Sequence, residues 1–254
     1  MFFVFVIGTA GSGKSTLVRA LADWLMDHEV DAATVNLDPA AVWLPYGPDV
    51  DVRDYVNIDE VMRRYNLGPN SALLACVDIT AAYVERLKEE IADVNADYVL
   101  VDTPGQLELF AFRGSGPYIT SSLGGERTAT LFLIDSVLAE RPSSLVSLLL
   151  LATSVSYRLH KPQLNILSKV DLLPKRSVER ILRWVESPLD LMDSLSEELV
   201  GLGREVNQRI CEALHDINPS PHLLPVSART GEGLDNLFSQ LQWVFGGGGE
   251  EYGP

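Results

Sequence analysis

Short apolar runs of strand length alternate along the chain with segments whose apolar residues recur at helical spacing. Residues 2–7 (FFVFVI) are apolar throughout and predict a strand buried on both faces. In residues 15–28, Leu17, Leu21, Trp24 and Leu25 fall on one face of a helix. Further strands are expected at 32–37 (AATVNL), 98–101 (YVLV), 130–134, 164–167 and 223–226. Helical patterns fill the intervals at about 58–66, 71–94, 142–159, 175–186, 189–216 and 233–244. Continuously apolar strands separated by helices predict an α/β fold, a mostly parallel central sheet with helices on both faces.

Two stretches break this rhythm. About sixty residues separate the second and third predicted strands, more than a simple crossover needs. Pro39, Pro45, Pro48 and Pro69 make part of that stretch irregular loop. The second is a helical excursion over 175–216, within which residues 186–205 carry six acids and one base. Ser187 and Pro188 suit a helix cap and first turn there. The closing GGGGEEYGP is too rich in glycine to pack. The expected organisation is one domain over 1–245, with insertions at 40–97 and 175–216 and a flexible tail at 246–254.

At 254 residues and 46% hydrophobic the chain can bury a sizeable core, which excludes a disordered protein. It has 35 acidic against 20 basic residues, and a formal charge of −15 argues against a broad nucleic-acid-binding surface. Two distant cysteines, Cys76 and Cys211, and four scattered histidines offer neither a disulfide framework nor a zinc site. The longest apolar stretches, 2–7 and 145–155, fall short of the roughly 20 residues that span a bilayer. With no basic leader ahead of the first strand, a cytoplasmic protein without membrane partners is expected.

The chemistry starts at residues 8–16, GTAGSGKST, which fit GxxxxGK(S/T) between a strand and a helix. Such a loop wraps backbone amides around phosphate oxygens at a helix N-terminus. Gly8, Ala10, Gly11, Ser12, Gly13, Lys14, Ser15 and Thr16 are the candidate cradle. Lys14 would reach the β- and γ-phosphates and the Ser15 hydroxyl would ligate Mg²⁺. The fold class narrows to a three-layer P-loop NTPase fold with helical insertions. Residues 1–22 contain Lys14 and Arg19 and no acid, so the net negative charge lies elsewhere.

Asp102 ends the third predicted strand in VDTPGQ, where a carboxylate holds the metal or its bound water. Gly105 can donate its amide to a γ-phosphate, and Gln106 stands where a water-orienting side chain belongs in GTPases. In the SKVD of Ser168, Lys169 and Asp171, the last carboxylate can accept from guanine N1–H and N2–H₂, donors adenine lacks in that arrangement. The Lys169 stem would pack over the ring. Ser227 and Ala228 follow the last strand and fit a small-residue loop facing the guanine carbonyl.

With these motifs in order, the chain resembles the GPN-loop GTPases. The resemblance rests on GTAGSGKST, on NLDPA (36–40), DVRD (51–54), GPN (68–70), DTPGQLELF (102–110), SKVD (168–171) and Ser227-Ala228. It covers about residues 1–245, with Ser168 departing from the usual Asn, and the short tail resembles archaeal members. The resemblance implies a homodimer that hydrolyses GTP to GDP without a separate activator, Asn70 acting in the partner's site. It implies that Gln106 and Glu108 order the attacking water and that Asp38 lies near Mg²⁺ and the nucleophile, joining Ser15 and Asp102 in the metal site. It also implies assembly of a client such as RNA polymerase subunits.

The residues alone leave alternatives. GPN also reads as a turn that stops one helix and caps the next. Arg53 reads as an arginine finger or as one half of a local ion pair. A nucleotide-timed chaperone or scaffold fits as well. A small-molecule kinase shares the P-loop but accounts for neither DTPGQ nor SKVD.

Overall fold

The computed structural model describes residues 1–198, 203–217 and 222–246; the expected tail beyond Gly246 and part of the acid-rich excursion lie outside them. β1 (Phe2–Gly8) leads into α1 (Lys14–Asp27) and then β2 (Ala32–Asn36). The first long stretch folds as a two-residue β3 (Val50–Asp51), a 3-10 turn (Val52–Asp54) and helices α2 (Ile58–Tyr65), α3 (Pro69–Ala82) and α4 (Val84–Val94). β4 (Tyr98–Asp102), α5 (Leu107–Phe110), α6 (Ser115–Gly124) and β5 (Thr128–Asp135) follow. Then come α7 (Ser136–Ala139), α8 (Pro142–Leu159), β6 (Gln163–Ser168) and a 3-10 turn (Val170–Leu172). The chain closes with α9 (Lys175–Glu186), α10 (Pro188–Glu198), α11 (Gly203–Ile217), β7 (Leu223–Val226) and α12 (Leu234–Phe245).

The strands form one seven-stranded sheet in the order β3-β2-β4-β1-β5-β6-β7. Every recorded pairing is parallel, so all strands end at one edge. Register makes that alignment tight. Asn36 pairs with both Asp51 and Asp102, Asp102 with Val6, and Asp135 with Ser168. Strand alternation divides the core in two. Phe3, Phe5, Ile7, Phe132 and Ile134 face α4, α6 and α8. Val4, Val6, Leu131 and Leu133 face Leu17, Leu21 and Leu25 of α1 and Leu237 and Leu241 of α12. The expected three-layer α/β fold is the one observed.

Some details differ from the periodic reading. The helix expected over 71–94 is two, because Tyr83 leaves helical geometry (φ −98°, ψ 4°) and stacks on Tyr55 at 5.3 Å. The excursion expected as one helix over 189–216 contains α10 and α11. β3, α5 and α7 are too short to show a period. Among the described residues no helix is long and apolar enough to cross a membrane.

α5 and α6 meet at Gly116, where a methyl group would lie 1.7 Å from the Phe110 carbonyl oxygen. Alanine favours a helix over glycine by about 1 kcal/mol, but overpacking costs about 1–3 kcal/mol and leaves backbone with nowhere to go. Gly116→Ala is therefore expected to lower stability in urea denaturation, against the propensity trend.

Candidate functional site

At the sheet's C-terminal edge, Gly11 and Gly13 take left-handed backbone (φ 76° and 98°), which lets the loop after β1 curl over the start of α1. Gly13 caps α1 with no side chain, so the first amides of the helix stay open to an anion. A Cβ at Gly8 would stand 2.7 Å from Ser12 Oγ, so the loop cannot close over a larger residue there. Lys14 Nζ folds back to donate to the Gly8 and Thr9 carbonyls at 3.0 and 3.1 Å. Burial pushes its pKa down, while Asp102 and Asp38 pull it up. Ser15 is half-buried, and Ala10 and Thr16 are exposed.

Asp102 is 1% exposed, and its Oδ2 accepts from the Tyr46 hydroxyl at 3.1 Å. Its Oδ1 is buried without a hydrogen-bond partner. Burial pushes the carboxyl up to about 6, against the Ser15 and Tyr46 hydroxyls and Lys14, which lower it, with Asp38 adding to the rise. An orphaned buried carboxylate oxygen beside a serine hydroxyl is a donor set that fits Mg²⁺, a hard ion that takes oxygen ligands. Among the described residues no three His, Cys, Asp or Glu side chains converge, so such an ion would complete its shell with water and phosphate oxygens.

Asp38 is held by backbone. Its Oδ1 accepts from the Ala40 amide at 2.9 Å and its Oδ2 from the Gly105 amide at 3.2 Å. Asn36, fully buried, accepts from the Asp38 amide and donates to the Asp38 carbonyl and to Asp51. Arg53 grips Asp51 through Nε and Nη2, the latter at 2.5 Å, and donates from Nη1 to the Ala41 carbonyl at 2.8 Å. Burial raises the Asp51 pKa, but hydrogen bonds from Arg53 and Asn36 outweigh it and leave the carboxyl below its ordinary value. Arg53 is thus committed to a local ion pair that fixes the loop after β2.

The base-side motifs line one cavity of about 200 Å³ with Ser12, Gly13, Thr16, Ser168, Lys169, Asp171, Ala228 and Arg229. Ser168 Oγ donates to the Ser12 carbonyl at 2.9 Å, tying the SKVD turn to the phosphate loop. Lys169, in left-handed backbone (φ 60°), reaches the Gly11 carbonyl at 2.5 Å and Asp135 at 2.6 Å. Ser227 Oγ donates to Asp171 Oδ1 at 2.7 Å, leaving Oδ2 for another donor.

A second cleft of about 180 Å³ lies on the other side of the loop, lined by Thr9, Ala10, Gly105, Gln106, Glu108, Phe112 and Leu151. Asn70 lines neither cavity. It is exposed at the second position of α3, with Gly68 as cap and Pro69 opening the helix. Within this chain, GPN is the cap between two helices.

The family described as "Conserved hypothetical ATP binding protein" matches residues 6–246. GPN-loop GTPase 3 of Kluyveromyces lactis is 32% identical over 95% of this chain and 92% of its own length. The chain belongs to the GPN-loop GTPase family. GPN-loop GTPase 1 of Dictyostelium discoideum is 30% identical over 94% of this chain, which spans only 60% of that relative's length. The crystal structure of PAB0955, "a GTPase in Apo form" from Pyrococcus abyssi, has a TM-score of 0.84 at 30% identity, over 94% of this chain and 96% of that one.

Several residues of this GPN-loop family member escape a motif reading. Asp135 ends β5 and pairs with Lys169, and its position at a strand's C-terminal end was the available signal. Tyr46 sits in a proline-flanked loop and meets Asp102 across 56 positions, with no local pattern to announce it. Arg229 follows the small-residue loop and reaches the cavity from an exposed position.

The raised Asp102 pKa has a consequence for stability. Between its reference value of 3.8 and about 6 the folded, ligand-free chain binds more protons than the unfolded one, so stability falls as pH rises through that window. The ionised form then costs on the order of 2–3 kcal/mol at neutral pH. Asp102→Asn should raise the melting temperature of nucleotide-free protein at pH 8 by several degrees. The difference should vanish near pH 4, as thermal denaturation at both pH values would show.

Proposed function

We propose that this protein binds GTP with Mg²⁺ and hydrolyses it to GDP and phosphate, acting as a homodimer in which Asn70 serves the partner's site. The observation that carries this reading is the convergence of the phosphate loop, Asp102 with its orphaned Oδ1, the Gly105 turn and the Asp171 cavity at one sheet edge. The family description speaks of ATP and the relatives' names of GTP. Asp171 favours the second, because an acceptor-only carboxylate meets donors on guanine that adenine does not offer.

In this reading the amides of residues 10–16 cradle the α- and β-phosphates, and Lys14 leaves the Gly8 and Thr9 carbonyls for the β- and γ-phosphates. Ser15 and Asp102 would hold Mg²⁺, which would supply positive charge against the charge that develops on the phosphates. Gly105 donates to the γ-phosphate, so Asp38 has to give up that amide as the triphosphate seats. Its freed carboxylate would then be available to hold the metal's water shell or to take a proton from the attacking water. Gln106 and Glu108 line the cleft at that end, suited to orient the water. Asn70 is exposed and lines neither cleft of its own chain, which suits a role in the site of a second copy.

The base assignment is tested with fluorescent GTP and XTP. Asp171→Asn should weaken GTP by roughly 10- to 100-fold and improve XTP, as two charge-assisted hydrogen bonds are lost. An unchanged GTP-to-XTP ratio would remove guanine selection by Asp171. The dimer role is tested by single-turnover kinetics. Asn70→Ala should cut kcat by at least about tenfold with GTP affinity intact, because a group acting on the transition state need not hold the ground state. Lost affinity at unchanged kcat would sink that role. A client such as RNA polymerase subunits remains part of this reading through the family resemblance. Pull-downs with GTP- and GDP-loaded protein should differ, and identical lists would remove the client.

A further inference from the structure

The metal carboxylate is held by a residue outside every nucleotide-binding motif. We infer that Tyr46 is the positioning residue of the divalent-metal site: its hydroxyl fixes Asp102 Oδ2, so that Oδ1 alone is offered to the ion. This rests on the metal reading proposed above.

The geometry supplies the argument. Tyr46 donates to Asp102 Oδ2 at 3.1 Å, while Oδ1 of the same carboxylate is buried with no hydrogen-bond partner. The nearby ammonium of Lys14 is spent on the Gly8 and Thr9 carbonyls, so it does not orient the group. The Tyr46 ring is itself anchored, half-buried against the core face that packs α1 onto the sheet. Pro45 and Pro48 restrict the backbone around it. An anchored phenol gives the carboxylate one orientation rather than a rotating pair of oxygens.

Mg²⁺ demands near-ideal octahedral geometry and keeps several waters, so a carboxylate that binds through one oxygen suits it better than a chelating one. With Oδ2 committed to Tyr46, Asp102 is confined to that mode. Residues beyond the direct ligands that orient them are worth about 10- to 100-fold in metal affinity elsewhere. Tyr46 also belongs to the loop that carries Asp38, which Arg53 clamps at the Ala41 carbonyl. The ion and this loop therefore share one support.

The test is release of mant-GDP from the whole protein across a range of free Mg²⁺, for wild type and Tyr46→Phe, which keeps the ring. The variant should need about tenfold more free Mg²⁺ for half-maximal slowing of release. Its release rate in EDTA should match wild type, and its melting temperature in EDTA should fall by no more than about 4 °C. An unchanged Mg²⁺ requirement would overturn the role of Tyr46, as would equal acceleration in EDTA, which marks general loosening of the loop. If wild-type release ignores Mg²⁺, the metal reading itself fails.

Discussion

All strands of the sheet run in one direction, and the site depends on that constraint. A parallel strand buried on both faces disfavours charged groups along its length, so they gather where it stops. Here the stops are level: Asn36, Asp51 and Asp102 share one register row, and Asp135 faces Ser168 in another. Chemistry separated by more than 200 positions in the chain, from the phosphate loop to Ser227, is brought within one edge without any loop having to reach far. The loops only finish what the register begins.

That edge is expensive to maintain without a ligand. Lys14 and Asp102 are both buried, the ammonium shifted toward its neutral form and the carboxyl pushed up to about 6. Each is a charge that water no longer solvates, and their attraction offsets the cost only in part. The Ser12 hydroxyl and Asp102 Oδ1 add buried polar atoms without partners. Unmet hydrogen-bonding capacity of this kind marks a place shaped for something else, and phosphate oxygens and a divalent ion would satisfy all of it. By contrast Asp51, equally close to the strand ends, is fully engaged by Arg53 and Asn36 and serves as scaffold.

How much of this was legible in the sequence follows from the range of each interaction. The continuous apolar strands and the long helices announce themselves because burial on both faces and helical periodicity are local patterns. GTAGSGKST, DTPGQ and SKVD are equally legible, since each packs its chemistry into a few consecutive residues. The sequence leaves Arg53 open between finger and ion pair, and the partner it grips in the fold, Asp51, lies only two residues away. GPN was ambiguous for a different reason. Cap and catalytic loop use the same residues, and the single chain displays only the cap. The Tyr46–Asp102 and Asp135–Lys169 contacts were invisible because they join distant segments through tertiary structure, where no spacing rule applies.

The cap role of GPN does not isolate it from the site. Leu73 and Val77, on the helix that Gly68 caps, pack against Leu109, three residues beyond Gln106, with Ala40, two beyond Asp38, at the margin of the same cluster. Asp38 and Gly105 are in turn joined by a hydrogen bond. Close-packed side chains cannot follow a neighbour by stretching; they move with it or leave a void. If Asp38 yields the Gly105 amide to a phosphate, both loops are released from one another while each stays keyed to α3. The helix that carries Asn70 is thereby packed, through apolar contacts, against both of the loops that meet at the Gly105 amide.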